Sequence, residues 1–173
     1  MKNLVLIGLS GCGKSSLGRR LARRLGMPFL DTDSMIVEAE GKAIADIFAE
    51  RGEAYFRDLE ALACSAASEA GGAVIATGGG AVLRDRNMEA LAKNAVIVFI
   101  DRHPSRILRS GSLSERPLVR DDSDKLFRLY HERLPLYRRW ADATVRNGGT
   151  RRRMKGCILH ILKLFRKNYK EMP

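Results

Sequence analysis

Residues 8–15 read Gly-Leu-Ser-Gly-Cys-Gly-Lys-Ser, a match to G-x-x-x-x-G-K-[ST], and the segments on either side restrict the fold more than any other feature of the chain. Before the motif, 3–8 (NLVLIG) is a nearly continuous apolar run, the pattern of a strand buried on both faces. After it, Leu17, Leu21 and Leu25 recur opposite Arg19, Arg20, Arg23 and Arg24, which predicts an amphipathic helix stopped by Gly26, with Pro28 just beyond. Strand, glycine turn and helix in that order build an anion cradle. Gly8, Gly11 and Gly13 let the backbone turn its N–H groups inward, and the helix N-terminus adds partial positive charge. Gly11, Cys12, Gly13, Lys14, Ser15 and Ser16 are therefore expected to bind the phosphates of a nucleotide. Lys14 would reach the β- and γ-phosphates, the Ser15 hydroxyl would hold Mg2+, and Ser16 would contact the α-phosphate. Cys12 carries a thiol near a helix N-terminus, where its pKa can fall, although a small side chain at a variable position of the loop is the simpler role.

Further apolar segments at 29–30, 73–76, 95–100 and 143–145 each end near Gly or Asp. Helix-compatible stretches lie between and beyond them, at 34–40, 45–51, 54–70, 86–93, 104–109 and 123–140. Regular alternation without hairpin turns implies an α/β three-layer sandwich, with about five parallel strands flanked by helices. With 45% apolar residues, the 173-residue chain can bury a full core as one domain spanning 1–173. Cys12, Cys64 and Cys157 are widely spaced and form no C-x-x-C pair, which argues against a disulfide framework or a zinc site. The opening apolar run is too short for a signal or spanning segment, so a cytoplasmic protein is expected.

Net charge is +11, but residues 150–173 supply seven of those charges. The remaining body suits a small enzyme for anionic substrates better than a nucleic-acid-coating surface, whose cations would be spread along a face. Within the tail, Ile158, Ile161, Leu162 and Phe165 share one helical face. That pattern fits a core-docked helix, the alternative being a basic helix for a membrane surface or nucleic acid. Residues 110–124 are polar, aperiodic and long for a connection, which marks a functional loop.

Asp31 and Asp33 leave one strand end two residues apart, so their side chains start on the same face beside the cradle. One carboxylate can serve a metal's water shell while the other hydrogen-bonds an acceptor hydroxyl. A role for Asp33 as a helix cap stays open at this point.

In order along the chain come Asp31-Thr32-Asp33, Phe56-Arg57 with Glu60, Thr77-Gly78-Gly79-Gly80, Arg116-Pro117-Leu118 and Arg133-Leu134-Pro135-Leu136-Tyr137. Together with the glycine loop, this series closely resembles the shikimate kinase family over nearly the whole chain. The resemblance implies transfer of the γ-phosphoryl of ATP to the 3-hydroxyl of shikimate by a monomer that needs neither nucleic acid nor membrane. It assigns Asp31, with Ser15, to Mg2+ and Asp33 to the acceptor hydroxyl as candidate base. Arg57 and Arg133 would grip the substrate carboxylate, and Gly78, Gly79 and Gly80 would bring bare backbone against the ring. Glu60, on the face of Arg57, would orient that guanidinium, an ordinary surface ion pair being the alternative. The resemblance also implies a substrate-binding helical segment at 32–60 and a lid at 110–124. Arg116 of the lid would supply charge during transfer, and Arg109 would stack on adenine.

One segment departs from the family, which commonly shows a V-D-T type sequence where this chain has Val145-Arg146-Asn147-Gly148. That difference bears on the adenine pocket. Nucleoside monophosphate kinases share the fold, but a carboxylate such as Asp33 facing the acceptor would repel a phosphate and suits an alcohol. Gluconate kinases share the alcohol logic, yet their acceptor motif is not found here. A nucleotide-binding regulator without turnover is a further class, disfavoured by Lys14, Ser15, Asp31, Asp33 and Arg116 occurring together.

Overall fold

The computed structural model describes residues 1–110 and 123–170. Its sheet has five strands, β1 (Asn3–Ile7), β2 (Phe29–Asp31), β3 (Val74–Ala76), β4 (Ala95–Asp101) and β5 (Ala143–Arg146), in the order β2-β3-β1-β4-β5. Every pairing is parallel, with Leu4 opposite Val74 and Leu6 opposite Val98. All carboxyl ends therefore lie along one edge, where loops from both sides of the central β1 converge.

The helices are α1 (Lys14–Leu25), α2 (Thr32–Glu40), α3 (Ile44–Ser68), α4 (Asp85–Ala92), α5 (Pro104–Leu108), α6 (Ser123–Trp140) and α7 (Arg151–Lys170). Strand parity sorts them into layers. Leu4, Leu6, Val96 and Val98 pack with Leu17 and Leu21 of α1 and Ile158 and Ile161 of α7. Val5, Ile7, Ile97 and Phe99 pack on the other face, with Cys64 of α3, Met88 of α4 and Tyr137 of α6. The expected three-layer α/β architecture is the one observed. Its terminal helix docks by the apolar face read from the sequence, since Ile158, Ile161, Leu162 and Phe165 are all buried. Among the described residues no helix is long and apolar enough to cross a membrane.

Local chemistry sets the element ends, and some differ from expectation. Gly26 terminates α1 in the left-handed conformation at φ 66°. The two helices expected at 45–51 and 54–70 are both present within α3, separated where the backbone leaves helical geometry at Gly52 (φ 77°, ψ 177°). The second strand runs on through Asp31, and α2 starts at Thr32 rather than Ser34. Asp31 Oδ1 accepts from the backbone N–H groups of Asp33 at 3.2 Å and Ser34 at 3.4 Å. The cap of α2 is thus Asp31, and Asp33 sits inside the first turn and does not serve as the cap. A short 3-10 turn at Ala81–Leu83, absent from the sequence reading, buries Ala81 and Val82 directly after the triple glycine.

Candidate active site

Three positive-φ glycines shape the loop between β1 and α1: Gly8 (φ 142°), Gly11 (φ 77°) and Gly13 (φ 103°). Gly8 is also fixed by space, because a Cβ there would lie 2.6 Å from the Ile100 carbonyl oxygen. Lys14 is buried, with only 7% of its surface exposed. Its ammonium donates to Gly8 O at 2.7 Å and Leu9 O at 3.0 Å. The cation is thereby held inside its own loop by carbonyls that phosphate oxygens can replace. Cys12 is fully buried, its Sγ 3.8 Å from Lys14 Nζ, and it belongs to the apolar core of the α1 face.

Ser15 Oγ donates to Asp31 Oδ2 at 2.6 Å. Hydroxyl and carboxylate at the mouth of the loop are hard oxygen donors, the kind Mg2+ takes alongside phosphates and water. One carboxylate oxygen of Asp31 therefore caps α2 while the other meets Ser15. Ser16 begins the exposed side of α1.

Beside β1, the Thr77–Gly80 turn follows β3. Gly78 N–H donates to Thr32 Oγ1 at 2.9 Å and Tyr137 OH donates to Gly79 O at 2.6 Å, so α2 and α6 both hold this backbone. Each glycine faces a different neighbour. A Cβ on Gly78 would lie 2.7 Å from Asp33 Oδ1 and 2.8 Å from Glu60 Oε1. On Gly79 it would lie 2.8 Å from Ser10 Oγ in the phosphate loop. On Gly80 it would collide with the Arg57 guanidinium. The turn is wedged between the phosphate loop and a charged cluster from α2 and α3, and a methyl group at any of the three glycines would have to displace a neighbour.

Within that cluster, Glu60 Oε2 accepts from Arg57 Nη1 at 2.7 Å, and Glu53 pairs with Arg57 Nη2 at 3.0 Å. Glu60 is 1% exposed, so it is a core carboxylate rather than half of a surface ion pair. Burial pushes its carboxyl above the usual range, the Arg57 charge opposes this, and the Asp33 charge adds to the rise. Among the described residues Glu60 Oε1 has no hydrogen-bond partner, and neither does the buried Arg133 Nε on α6. Burial likewise raises the Tyr137 phenol, and the Arg133 charge works against that rise. Arg57, Glu60, Arg133 and Tyr137 thus surround one side of the glycine turn with polar groups, two of which have unmet hydrogen-bonding capacity.

Two long-range contacts here were not read from the sequence, those of Asn147, whose segment was noted only as a departure, and of Arg102. Asn147 Nδ2 donates to Cys12 O at 2.8 Å and its Oδ1 accepts from Gly149 N–H at 3.0 Å, strapping the phosphate loop to the segment after β5. Arg102, 8% exposed, donates to Arg106 O at 3.0 Å and Gly11 O at 3.4 Å. Burial lowers its pKa. An asparagine directly after the last apolar segment was the available signal for the first, and no pattern flagged the second. Arg109 ends α5 and is exposed. Arg116 and most of the expected lid lie outside the described residues.

A family model described as shikimate kinase matches residues 10–163. A shikimate kinase of Clostridium beijerinckii is 43% identical over 148 residues, covering 85% of this chain and 87% of the relative. The structure of a shikimate kinase from Acinetobacter baumannii in complex with shikimate superposes with a TM-score of 0.90 at 32% identity, over 97% of this chain and 94% of that one. A gluconokinase from Sinorhizobium meliloti, at TM-score 0.59 and 19% identity over 99% of this chain and 98% of that one, shares the fold alone.

Proposed function

The chain belongs to the shikimate kinase family, and on that footing we propose how its residues pass the γ-phosphoryl of ATP to the 3-hydroxyl of shikimate. The observation that carries the reading is the close approach of the acceptor turn to the phosphate loop, where a Cβ on Gly79 would lie 2.8 Å from Ser10 Oγ and 3.0 Å from Ser10 N. A γ-phosphoryl lying over the loop and a hydroxyl lying over the turn are then neighbours. Phosphoryl transfer needs alignment and charge neutralisation more than a strong base.

The amides of 11–16 and the Lys14 ammonium hold the triphosphate, Lys14 exchanging its carbonyl partners for phosphate oxygens. Ser15 and Asp31 would hold Mg2+, which when bound neutralises charge between the β- and γ-phosphates. Arg57 and Arg133 present planar guanidiniums to the shikimate carboxylate. Glu60 fixes Arg57 for that grip. Asp33, freed from capping and aimed at the Gly78 turn, accepts the hydrogen bond of the 3-hydroxyl. As the oxygen–phosphorus bond forms and the bond to the β-phosphate oxygen breaks, Asp33 takes the hydroxyl proton and ADP leaves. Arg109 stacks on the adenine. Arg116, carried on the 110–124 lid, adds positive charge to the moving phosphoryl and helps close the site to water. We infer a single 1–173 domain that acts as a monomer, a reading supported by the assignment of every role to residues of one chain.

Initial ADP release measured with Mg2+ and ATP, comparing shikimate, gluconate and nucleoside monophosphates, tests the assignment. Shikimate is expected to support turnover at least about 10²-fold faster than the others, because a site built for a particular hydroxyl and carboxylate leaves its polar groups unpaired with any other acceptor. Faster release with a nucleoside monophosphate would overturn it.

A further inference from the structure

Asp101 and Arg102 leave the end of β4 on opposite faces of the sheet. Arg102 turns toward the phosphate loop, as its bond to Gly11 O shows. Asp101 turns the other way, into a cleft of about 470 Å³ beside α6 and β5 that is also lined by Arg106, Arg138, Arg146 and Arg153. The wall between the two sides is Asn147-Gly148. Asn147 bonds the phosphate loop, while Gly148 O accepts from Arg106 Nη1 at 3.2 Å on the cleft side.

The charges in this cleft are unbalanced. Its one lining carboxylate, Asp101, already accepts from Tyr130 OH at 2.9 Å. Among the described residues none of the four lining arginines forms an ion pair with a carboxylate. Arg139, the next residue after Arg138 on α6, does so with Asp85 at 3.1 Å. Four guanidiniums gathered on one concavity repel each other, and an anion placed among them relieves that repulsion and meets their forked donors. Offset by Asp101, they leave a net charge of about +3, which matches a small acid carrying a carboxylate and a phosphate, the latter contributing about −1.5 to −2 at neutral pH. The volume lies within the range of about 300–1,000 Å³ typical of small-molecule sites. A nucleic-acid backbone would instead call for cations spread along a face.

We propose that this cleft is a second anion site, separate from the triphosphate cradle, which binds a small phosphate-bearing anion through Arg106, Arg138, Arg146 and Arg153. The test is calorimetric titration of the full chain, with the phosphate loop first saturated with Mg2+ and ADP, at fixed ionic strength. Inorganic phosphate and 3-phosphoglycerate serve as the two probes. Both are expected to bind the wild-type protein at one equivalent. The double variant Arg138→Gln/Arg146→Gln should bind at least about tenfold more weakly, the scale of losing charge-assisted partners. Arg138→Gln alone should fall between, and this single variant should keep the wild-type rate of ADP release with shikimate. Tighter binding of 3-phosphoglycerate upholds the site and identifies its ligand as a phosphorylated acid; equal binding upholds it as a phosphate site. Absence of binding to the wild type, undiminished binding to the double variant, or binding that vanishes once ADP is present would overturn it.

Discussion

The donor side of the active site and the acceptor side are built in opposite ways. The phosphate loop is local and self-contained. Three left-handed glycines shape it, and its one cation, Lys14, already sits on two of the loop's own carbonyls. The acceptor side draws Asp33 from α2, Arg57 and Glu60 from α3, and Arg133 and Tyr137 from α6, all around a turn after β3. It leaves Glu60 Oε1 and Arg133 Nε buried without partners among the described residues. A triphosphate can be held by backbone amides that any sequence supplies once its glycines are in place. A carboxylate and a particular hydroxyl demand side chains held from several elements, and on the proposed reading the unmet capacity of those side chains supplies selectivity for the acceptor.

That contrast predicts different failures on the two sides. The largest effect is expected from Lys14→Met, which should lower turnover by at least about 10²-fold while the circular dichroism spectrum and cooperative unfolding stay intact. Turnover within a fewfold of wild type would remove the loop from the chemistry. Arg133→Ala comes next and should raise the KM for shikimate about 10- to 100-fold while changing the KM for ATP little, as loss of a charge-assisted pair to a carboxylate would. Equal changes in both KM values would erase the division between the sides.

A smaller effect should follow from Gly80→Ala. The added methyl group displaces the Arg57 guanidinium, so the KM for shikimate should rise by about tenfold, the cost of roughly one misplaced hydrogen-bonding partner. An unchanged KM would mean that Arg57 makes no contact with the acceptor.

The smallest effect is one of pH. Burial holds the Glu60 carboxyl above its ordinary 4.5. Between 4.5 and that raised value the folded protein binds more protons than the unfolded chain, so this group's contribution to stability rises as pH falls through the window. The stability of the wild type relative to Glu60→Gln, measured by urea unfolding, should therefore increase from pH 7 toward 4.5. A difference that shrinks on acidification would mean that the pair with Arg57 outweighs burial.

The same contrast explains what the sequence disclosed. The phosphate loop was readable because its chemistry is written in contiguous residues whose backbone angles are local, and the alternating layers were readable because strand and helix periods differ. Long-range partners were not. Tyr137 meets Gly79 across 58 positions and Asn147 meets Cys12 across 135. Nothing in the spacing of either residue points to its partner. Asp31 and Asp33 illustrate the limit at short range. Both leave the same strand end, and only the observed first turn of α2 shows that Asp31 caps it while Asp33 Oδ1 lies beside Gly78. Glu60 follows Arg57 by three residues, a spacing common to surface pairs, and its burial depends on packing that the helix sequence alone does not specify.

The central proposal is that Asp33 holds an alcohol against the turn that lies close to the phosphate loop. A crystal structure of the protein with shikimate, Mg2+ and ADP measures it directly. The 3-hydroxyl oxygen is expected within about 2.6–3.2 Å of an Asp33 carboxylate oxygen, on the side of the Gly78–Gly80 turn facing Lys14. A shikimate bound with that hydroxyl directed away from Asp33, or with its carboxylate where the hydroxyl should be, would contradict the assignment.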